Sequence, residues 1–211
     1  MPGEARLVSA RHSQGLPDVP LIGMDGANLL TDHPRFQWIP VKDANRYWLV
    51  LLPKMETSAL RKASLPQLKR KTYWWQMAVS TCAFAYPRTK LPLQPGDDYS
   101  LVICALHGER EIARGVATFA YLSAADRALV NAFRQDCMTF TPRDDMVTAH
   151  LLLASYYRMH DIYDQAVVEY QQVLNRHPQA KAVHYALLTL YRQTRRWENA
   201  KREWQCIKSL G

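Results

Sequence analysis

Seven histidines (His12, His33, His107, His150, His160, His177 and His184) and four cysteines (Cys82, Cys104, Cys137 and Cys206) are the side chains here best suited to ligate a metal or act as nucleophiles. Their spacing argues against both roles. The cysteines form no CxxC pair, so neither a zinc ribbon nor a thioredoxin-like dithiol is expected, and the burial habit of free cysteine makes them reduced, structural thiols. Cys82 and Cys104, both in strand-like segments, are the one pair placed to bridge. There is no GxSxG, no HExxH and no Cys-His family signature, and none of the eight glycines belongs to a P-loop or to a GxGxxG turn after a strand. No catalytic residue, metal or cofactor is therefore expected, and the chain reads as a non-enzyme.

Two other groupings invite a chemical reading. Asp144 and Asp145 are adjacent carboxylates, the raw material of acid-base work, but they stand just before a helical segment, where carboxylates favour the helix N-terminus, so capping is expected. Arg61, Lys62, Lys69, Arg70 and Lys71 precede Tyr73, Trp74 and Trp75, setting cations beside aromatics that can stack on bases or face phosphates. Three readings of that segment stay open: a solvated insertion whose tryptophans point into the core, a patch for an acidic protein, and a nucleic-acid surface. A second basic cluster, Arg192, Arg195, Arg196, Lys201 and Arg202, lies near the C-terminus. The net charge of +8 is spread along the chain, which permits an acidic partner without demanding one.

The elements that must position these residues follow from pattern. With 48% apolar and 22% charged residues over 211 positions, the chain is globular and long enough to bury a core without staples. The first residues, from Met1, lack an apolar core of signal-peptide length, and no stretch is long enough to span a bilayer, so a soluble, cytoplasmic protein is expected, or an extracytoplasmic one if a leader was trimmed. Residues 1–18 read as a flexible segment. From 19 to 121, short alternating apolar runs are separated by Pro, Gly, Asn and Asp, the signature of an antiparallel β domain. Phe36 and Trp38 share a face; Tyr47, Leu49 and Leu51 share another; a third strand runs near Trp74 to Ala85; and Tyr99, Leu101, Ile103 and Ala105 alternate inward after the turn at Pro95. Gly115 to Tyr121 supplies a last strand after a turn at His107-Gly108-Glu109.

Near Ser123 the hydrophobic period changes from two to 3.6. Ser123 is a natural N-cap with Asp126 in the first turn, and Leu129, Val130 and Phe133 fall on one helical face. Beyond it the chain repeats at 34 residues: His150 with His184, Leu153 with Leu187, Tyr157 with Tyr191, Ala166 with Ala200 and Glu169 with Glu203. Small residues at Ala154 and Ala166 let two antiparallel helices approach, Tyr157 and Tyr170 fill the space beside them, and Pro178 ends the second helix. Leu188 replaces the small residue in the second unit. His150 and His184 occupy equivalent places and could face each other between the first helices; two ligands do not make a metal site, so packing is the expected role. About three such units are usually needed for stability, so other parts of the chain, including the helix from Ser123, must cover these two.

The pattern resembles the tetratricopeptide repeat, with units at 147–180 and 181–211. The run from Pro34 to Trp38, then Ala44 to Leu51, then Leu93 to Ala105 resembles fibronectin type III and other immunoglobulin-like sandwiches. Together they are similar to cyanobacterial proteins that join such a sandwich to a short tetratricopeptide tail, relatives that are commonly exported. The expected fold is α+β in two domains: an antiparallel sandwich over 19–121, then a helical hairpin array over 123–211. The resemblance implies a non-catalytic adaptor or assembly subunit that binds another protein. It implies that the first helix of each hairpin lines a groove, which places Leu151, Ser155, Arg158 and Met159 there from one unit and Tyr185, Thr189, Arg192 and Gln193 from the next. The paired arginines favour an acidic segment, and Met159 and Tyr185 supply adaptable apolar contact. The alternative function is association with nucleic acid through residues 61–75.

Overall fold

The computed structural model describes residues 16–64, 67–68, 74–78 (backbone only), 81–142 and 145–210. The chain is α+β: strands with one short helix between them come first, and the longer helices follow. β1 (Ala27–Leu29), β7 (Arg110–Tyr121), β6 (Asp98–His107), β3 (Arg46–Pro53) and β4 (Trp74–Ala78) form a five-stranded sheet in the order β1-β7-β6-β3-β4, and β2 (Arg35–Gln37) pairs with β5 (Ala83–Ala85) in a second, two-stranded sheet. The small sheet lies against the large one: the Phe36 and Phe119 ring centroids are 6.0 Å apart, and Trp38 meets Tyr47 edge-on at 5.2 Å.

Three features depart from the expected antiparallel array. β1 runs parallel to β7, so the large sheet is mixed. The reason lies just upstream, where Leu21 bridges Trp38, the residue that follows β2, and Gly23 and Gly26, both at φ 70, turn the chain to run along β7 in the same direction. The stretch from Trp74 to Ala85 is not one strand but two, β4 and β5, in different sheets. The last strand starts at Arg110, before Gly115, because a two-residue turn at Gly108 (φ 62) and Glu109 closes the β6–β7 hairpin directly.

Strand alternation sets the core. Tyr47, Leu49 and Leu51 of β3 and Tyr99, Leu101, Ile103 and Ala105 of β6 point to the inner face, while Val50, Leu52, Val102, Cys104 and Val116 point outward. The outer face is not wet. The short helix α1 (Thr57–Lys62), in the β3–β4 connection, lays Leu60 on it together with Leu68, which is why the middle of β6 reads as an unbroken apolar run. Buried Arg114 holds α1 down, donating to both Glu111 carboxylate oxygens at 2.6 Å and to the Leu60 carbonyl at 2.9 Å, with further bonds to the Arg61 and Ala63 carbonyls. Cys104 on the outer face and Cys82, whose Sγ is 4.0 Å from the Tyr47 hydroxyl among the inner cluster, lie on opposite sides of the sheet, and all four thiols are free.

Five helices follow: α2 (Ala124–Phe140), α3 (Met146–Met159), α4 (Tyr163–Arg176), α5 (Lys181–Gln193) and α6 (Trp197–Ser209). The Ser123 hydroxyl accepts from Asp126 N–H at 3.1 Å and so starts α2. Val130 is buried there and Phe133 stacks on Tyr156 of α3 with centroids 4.1 Å apart, whereas Leu129 is exposed. α3 pairs with α4 and α5 with α6. The two hairpins repeat in detail. Asp161 and Arg195 take the left-handed backbone at φ 56 and 59, Ile162 N–H donates to the Tyr157 carbonyl at 2.8 Å, and Arg196 N–H donates to the Tyr191 carbonyl at 2.7 Å. Ala154 and Ala166 are fully buried, as close helix approach requires.

Strands and helices share one continuous core. The segment before β1 docks on both hairpin turns at equivalent carbonyls: Gly23 N–H donates to Thr194 O at 2.9 Å, and Asn28 donates from its side chain to His160 O at 2.9 Å and from its backbone to Asp161 O at 3.0 Å. A Cβ on Gly23 would stand 2.7 Å from the Arg196 guanidinium, which could swing aside, so it is the left-handed backbone at φ 70 that favours glycine here. Residues 16–18, expected to be flexible, are held: the Pro17 carbonyl accepts from Arg114 N–H at 2.8 Å, and Asp18 bridges Arg61 at 3.0 Å and Arg195 at 2.9 Å. Residues 1–15 lie outside the described residues.

Candidate binding face

α3 and α5 each bury one face and leave another bare. In α3 the buried residues are Ala149, Leu153, Ala154 and Tyr157; in α5 they are Val183, His184, Leu187, Leu190 and Tyr191. Successive residues turn by about 100° on a helix, so the positions between these look outward. Ser155, Arg158 and Met159 are exposed on α3, and Tyr185, Thr189 and Arg192 on α5. Met159 is 78% exposed and Tyr185 46%, values that mark them as large apolar groups left in water. Arg158 and Arg192 stand one 34-residue step apart, and neither forms an ion pair among the described residues.

Two expected groove residues do not belong to this bare face. Leu151 is half-buried and packs on the core. Gln193, though exposed, donates its side-chain amide to the Tyr163 hydroxyl at 3.0 Å, which commits it to α4. That hydroxyl in turn donates to Asp161 at 2.9 Å, and burial, followed by its hydrogen bond to the Asp161 carboxylate, pushes Tyr163 up to about 12. Thr189 spends its hydroxyl on the Tyr185 carbonyl at 2.9 Å. Sequence reasoning passed over Leu152, which is 49% exposed on α3. The signal was present, since three consecutive leucines at 151–153 cannot all face one core from a helix.

The repeated histidines do not face each other. Each turns to the glutamate on the second helix of its own hairpin, His150 Nδ1 to Glu169 Oε2 at 2.7 Å and His184 Nδ1 to Glu203 Oε2 at 2.6 Å. His184 Nε2 also lies 2.8 Å from the Pro178 carbonyl. Burial pulls the His184 pKa down, but the Glu203 carboxylate and the Pro178 carbonyl outweigh it and the net shift is upward. These pairs cross-link each hairpin internally. Among the described residues no three of His, Cys, Asp and Glu converge as a metal site would need.

The remaining groupings are dispersed. Asp145 occupies the N-cap position of α3, with its carboxylate accepting from the Thr148 hydroxyl at 2.7 Å instead of from a backbone N–H; Asp144 lies outside the described residues. Of the basic segment, Arg61 is engaged by Asp18, Lys62 is exposed, and Lys69, Arg70 and Lys71 lie outside the described residues. In the second cluster, Arg195 pairs with Asp18 and Arg196 with Asp164. These two arginines also line a cleft of about 580 Å³ between the small sheet and the helices, beside Trp38, Pro40, Tyr191 and Trp197. Among the described residues no helix is long and apolar enough to cross a membrane.

No family model and no curated protein matches the chain. Among solved structures it is similar to the fn3 domain of the human collagen alpha-1(XX) chain, with 15% identity and a TM-score of 0.34 over 56% of this chain and 95% of that one.

Proposed function

We propose that this chain is a non-catalytic adaptor or assembly subunit, an immunoglobulin-like sandwich fused to two tetratricopeptide-type hairpins, which holds an acidic segment of another protein on the bare face of α3 and α5. The sandwich reading is supported by the strand order β1-β7-β6-β3-β4 against β2-β5. The repeat reading is supported by the 34-residue recurrence of the left-handed turn residues Asp161 and Arg195 and of the histidine–glutamate pairs.

The observation that carries the functional reading is the composition of the bare face. Two arginines without ion-pair partners among the described residues stand with exposed Leu152, Met159 and Tyr185, on helices whose opposite faces are buried. Apolar side chains give contact area and the cations give sign preference. Capture from a native lysate with wild-type protein, followed by titration of the identified partner against Arg158→Glu/Arg192→Glu, tests it. The double variant should melt like wild type and bind more weakly by about 2 kcal/mol or more, in the range of interfacial charge pairs. Unchanged affinity with a normal melt would remove this face from consideration.

A further inference from the structure

α4 and α6, the second helices of the two hairpins, carry one stripe in common. In α4 it is Tyr163, Val167, Tyr170 and Leu174; at equivalent places in α6 it is Trp197, Lys201, Trp204 and Lys208. Steps of four, three and four residues keep each set on one narrow side of its helix. Their surroundings differ. In α4, which packs against α5 and the segment before β1, Tyr163 is 6% exposed and Tyr170 5%. In α6, whose main neighbour among the described elements is α5, Trp197 is 50% exposed and Trp204 45%, and both lysines are exposed as well. The same helix side is thus covered in the first hairpin and bare in the second. Two half-exposed tryptophans, two turns apart on one helix, make the kind of apolar patch that marks an association surface, and tryptophan is enriched where interfaces concentrate their affinity.

The order of the stripe says what fits it. Trp, Lys, Trp, Lys is its own complement when reversed. With a second α6 lying antiparallel across the first, Trp197 comes opposite Lys208 of the partner subunit and Lys201 comes opposite Trp204 of the partner subunit, so every contact along the stripe is a cation on an aromatic ring. A parallel arrangement would set lysine against lysine instead. The same pairing already exists within one chain, where Lys208 Nζ lies 5.3 Å from the Trp204 ring centroid. An acidic helix from another protein would answer the lysines but bring no cation to the Trp197 ring. The geometry points to a two-fold, antiparallel pairing of α6 with α6 of a second copy of this chain, built on Trp197, Lys201, Trp204 and Lys208. A helix of this length spans about 20 Å, so the interface falls at the small end of the known range and the dimer is weak, with a Kd on the order of 10–100 μM.

Sedimentation equilibrium of the full chain, from a few micromolar to several hundred micromolar, reads this directly. Wild type should rise with concentration from the mass of one chain toward that of two. Lys201→Glu/Lys208→Glu sets a negative charge against each ring face and should raise the Kd at least about tenfold, whereas Lys201→Arg/Lys208→Arg, which keeps the cation, should stay within about threefold. Lys201→Gln/Lys208→Gln, which removes the cations without adding repulsion, should also weaken the dimer. Thermal melts of all variants should match wild type, since the lysines are exposed. A wild-type chain that stays monomeric throughout the range overturns the proposal, and so does a glutamate variant that dimerises as tightly as wild type. Capture of an acidic helix on this stripe by a monomeric wild type would give the surface to another partner and overturn it equally.

Discussion

Gly115 lies on the inner side of β7 between Ala113 and Ala117, and these small residues make room for residues 17–21 to cross the sheet. A Cβ at Gly115 would stand 2.1 Å from the Val19 carbonyl oxygen, 2.7 Å from Leu21 Cδ1 and 3.0 Å from the Val19 carbonyl carbon. The nearest atom is backbone, so no rotamer change relieves the clash. In Gly115→Ala the crossing segment must therefore lift by more than an ångström. Lifting it breaks or lengthens the Arg114 N–H bond to Pro17 O at 2.8 Å and the Ile39 N–H bond to Pro20 O at 3.0 Å, and it opens Val19 and Leu21, which are 0% and 3% exposed. Overpacking alone costs about 1–3 kcal/mol, and partial loss of one buried aliphatic side chain about as much again. The expected destabilisation is about 3 kcal/mol or more, a large part of the ordinary 5–15 kcal/mol stability range. Urea unfolding followed by tryptophan fluorescence measures it as a fall in the midpoint at unchanged slope. Gly108→Ala is the control: its Cβ meets nothing within 4 Å, so only the left-handed backbone penalty of about 1 kcal/mol applies. Equal, small effects at the two sites would refute the crossing of residues 17–21 over β7.

Two further outcomes follow from the helical half. Because the folded-state pKa of His184 is raised, its contribution to stability is fully present below the unfolded-state value near 6.5 and is lost as pH rises through the folded value; melting temperature should fall across that window, and His184→Gln should flatten the fall. Ala166→Trp, at a fully buried helix contact, should destabilise by about 1–3 kcal/mol or more in the same urea assay, and a change near zero would mean the hairpin helices do not meet there.

Much of the local structure was legible because it is written in period and in residue type. Tyr47, Leu49 and Leu51, and Tyr99, Leu101, Ile103 and Ala105, recur at every second residue as one face of a strand must, and the inner cluster holds all of them. The change of period at Ser123 coincides with the N-cap of α2. The hairpin signals at Ala154, Tyr157, Ala166 and Tyr170 act over one or two helical turns, so the sequence states them locally. The candidate face came from the resemblance carried through the 34-residue register, and the structure leaves Ser155, Arg158, Met159, Tyr185, Thr189 and Arg192 of that set exposed. Gln193 escaped because its amide is claimed by Tyr163, 30 residues away in sequence.

What the sequence by itself determined is therefore the class and order of the main elements: strands to Tyr121, though not the short α1 among them, helices from Ala124, and two hairpins in a 34-residue register. Only the tertiary structure decided which partner each element takes. The parallel seat of β1 on β7, the separation of β4 and β5 into different sheets, the covering of the outer sheet face by α1 through Arg114, and the choice of Glu169 and Glu203 as histidine partners all join residues distant in sequence. Period reports which face of an element is apolar, because that is repeated within a few residues. It carries no information on what meets that face, since long-range pairing is selected by the fit of whole surfaces after the chain has folded back on itself.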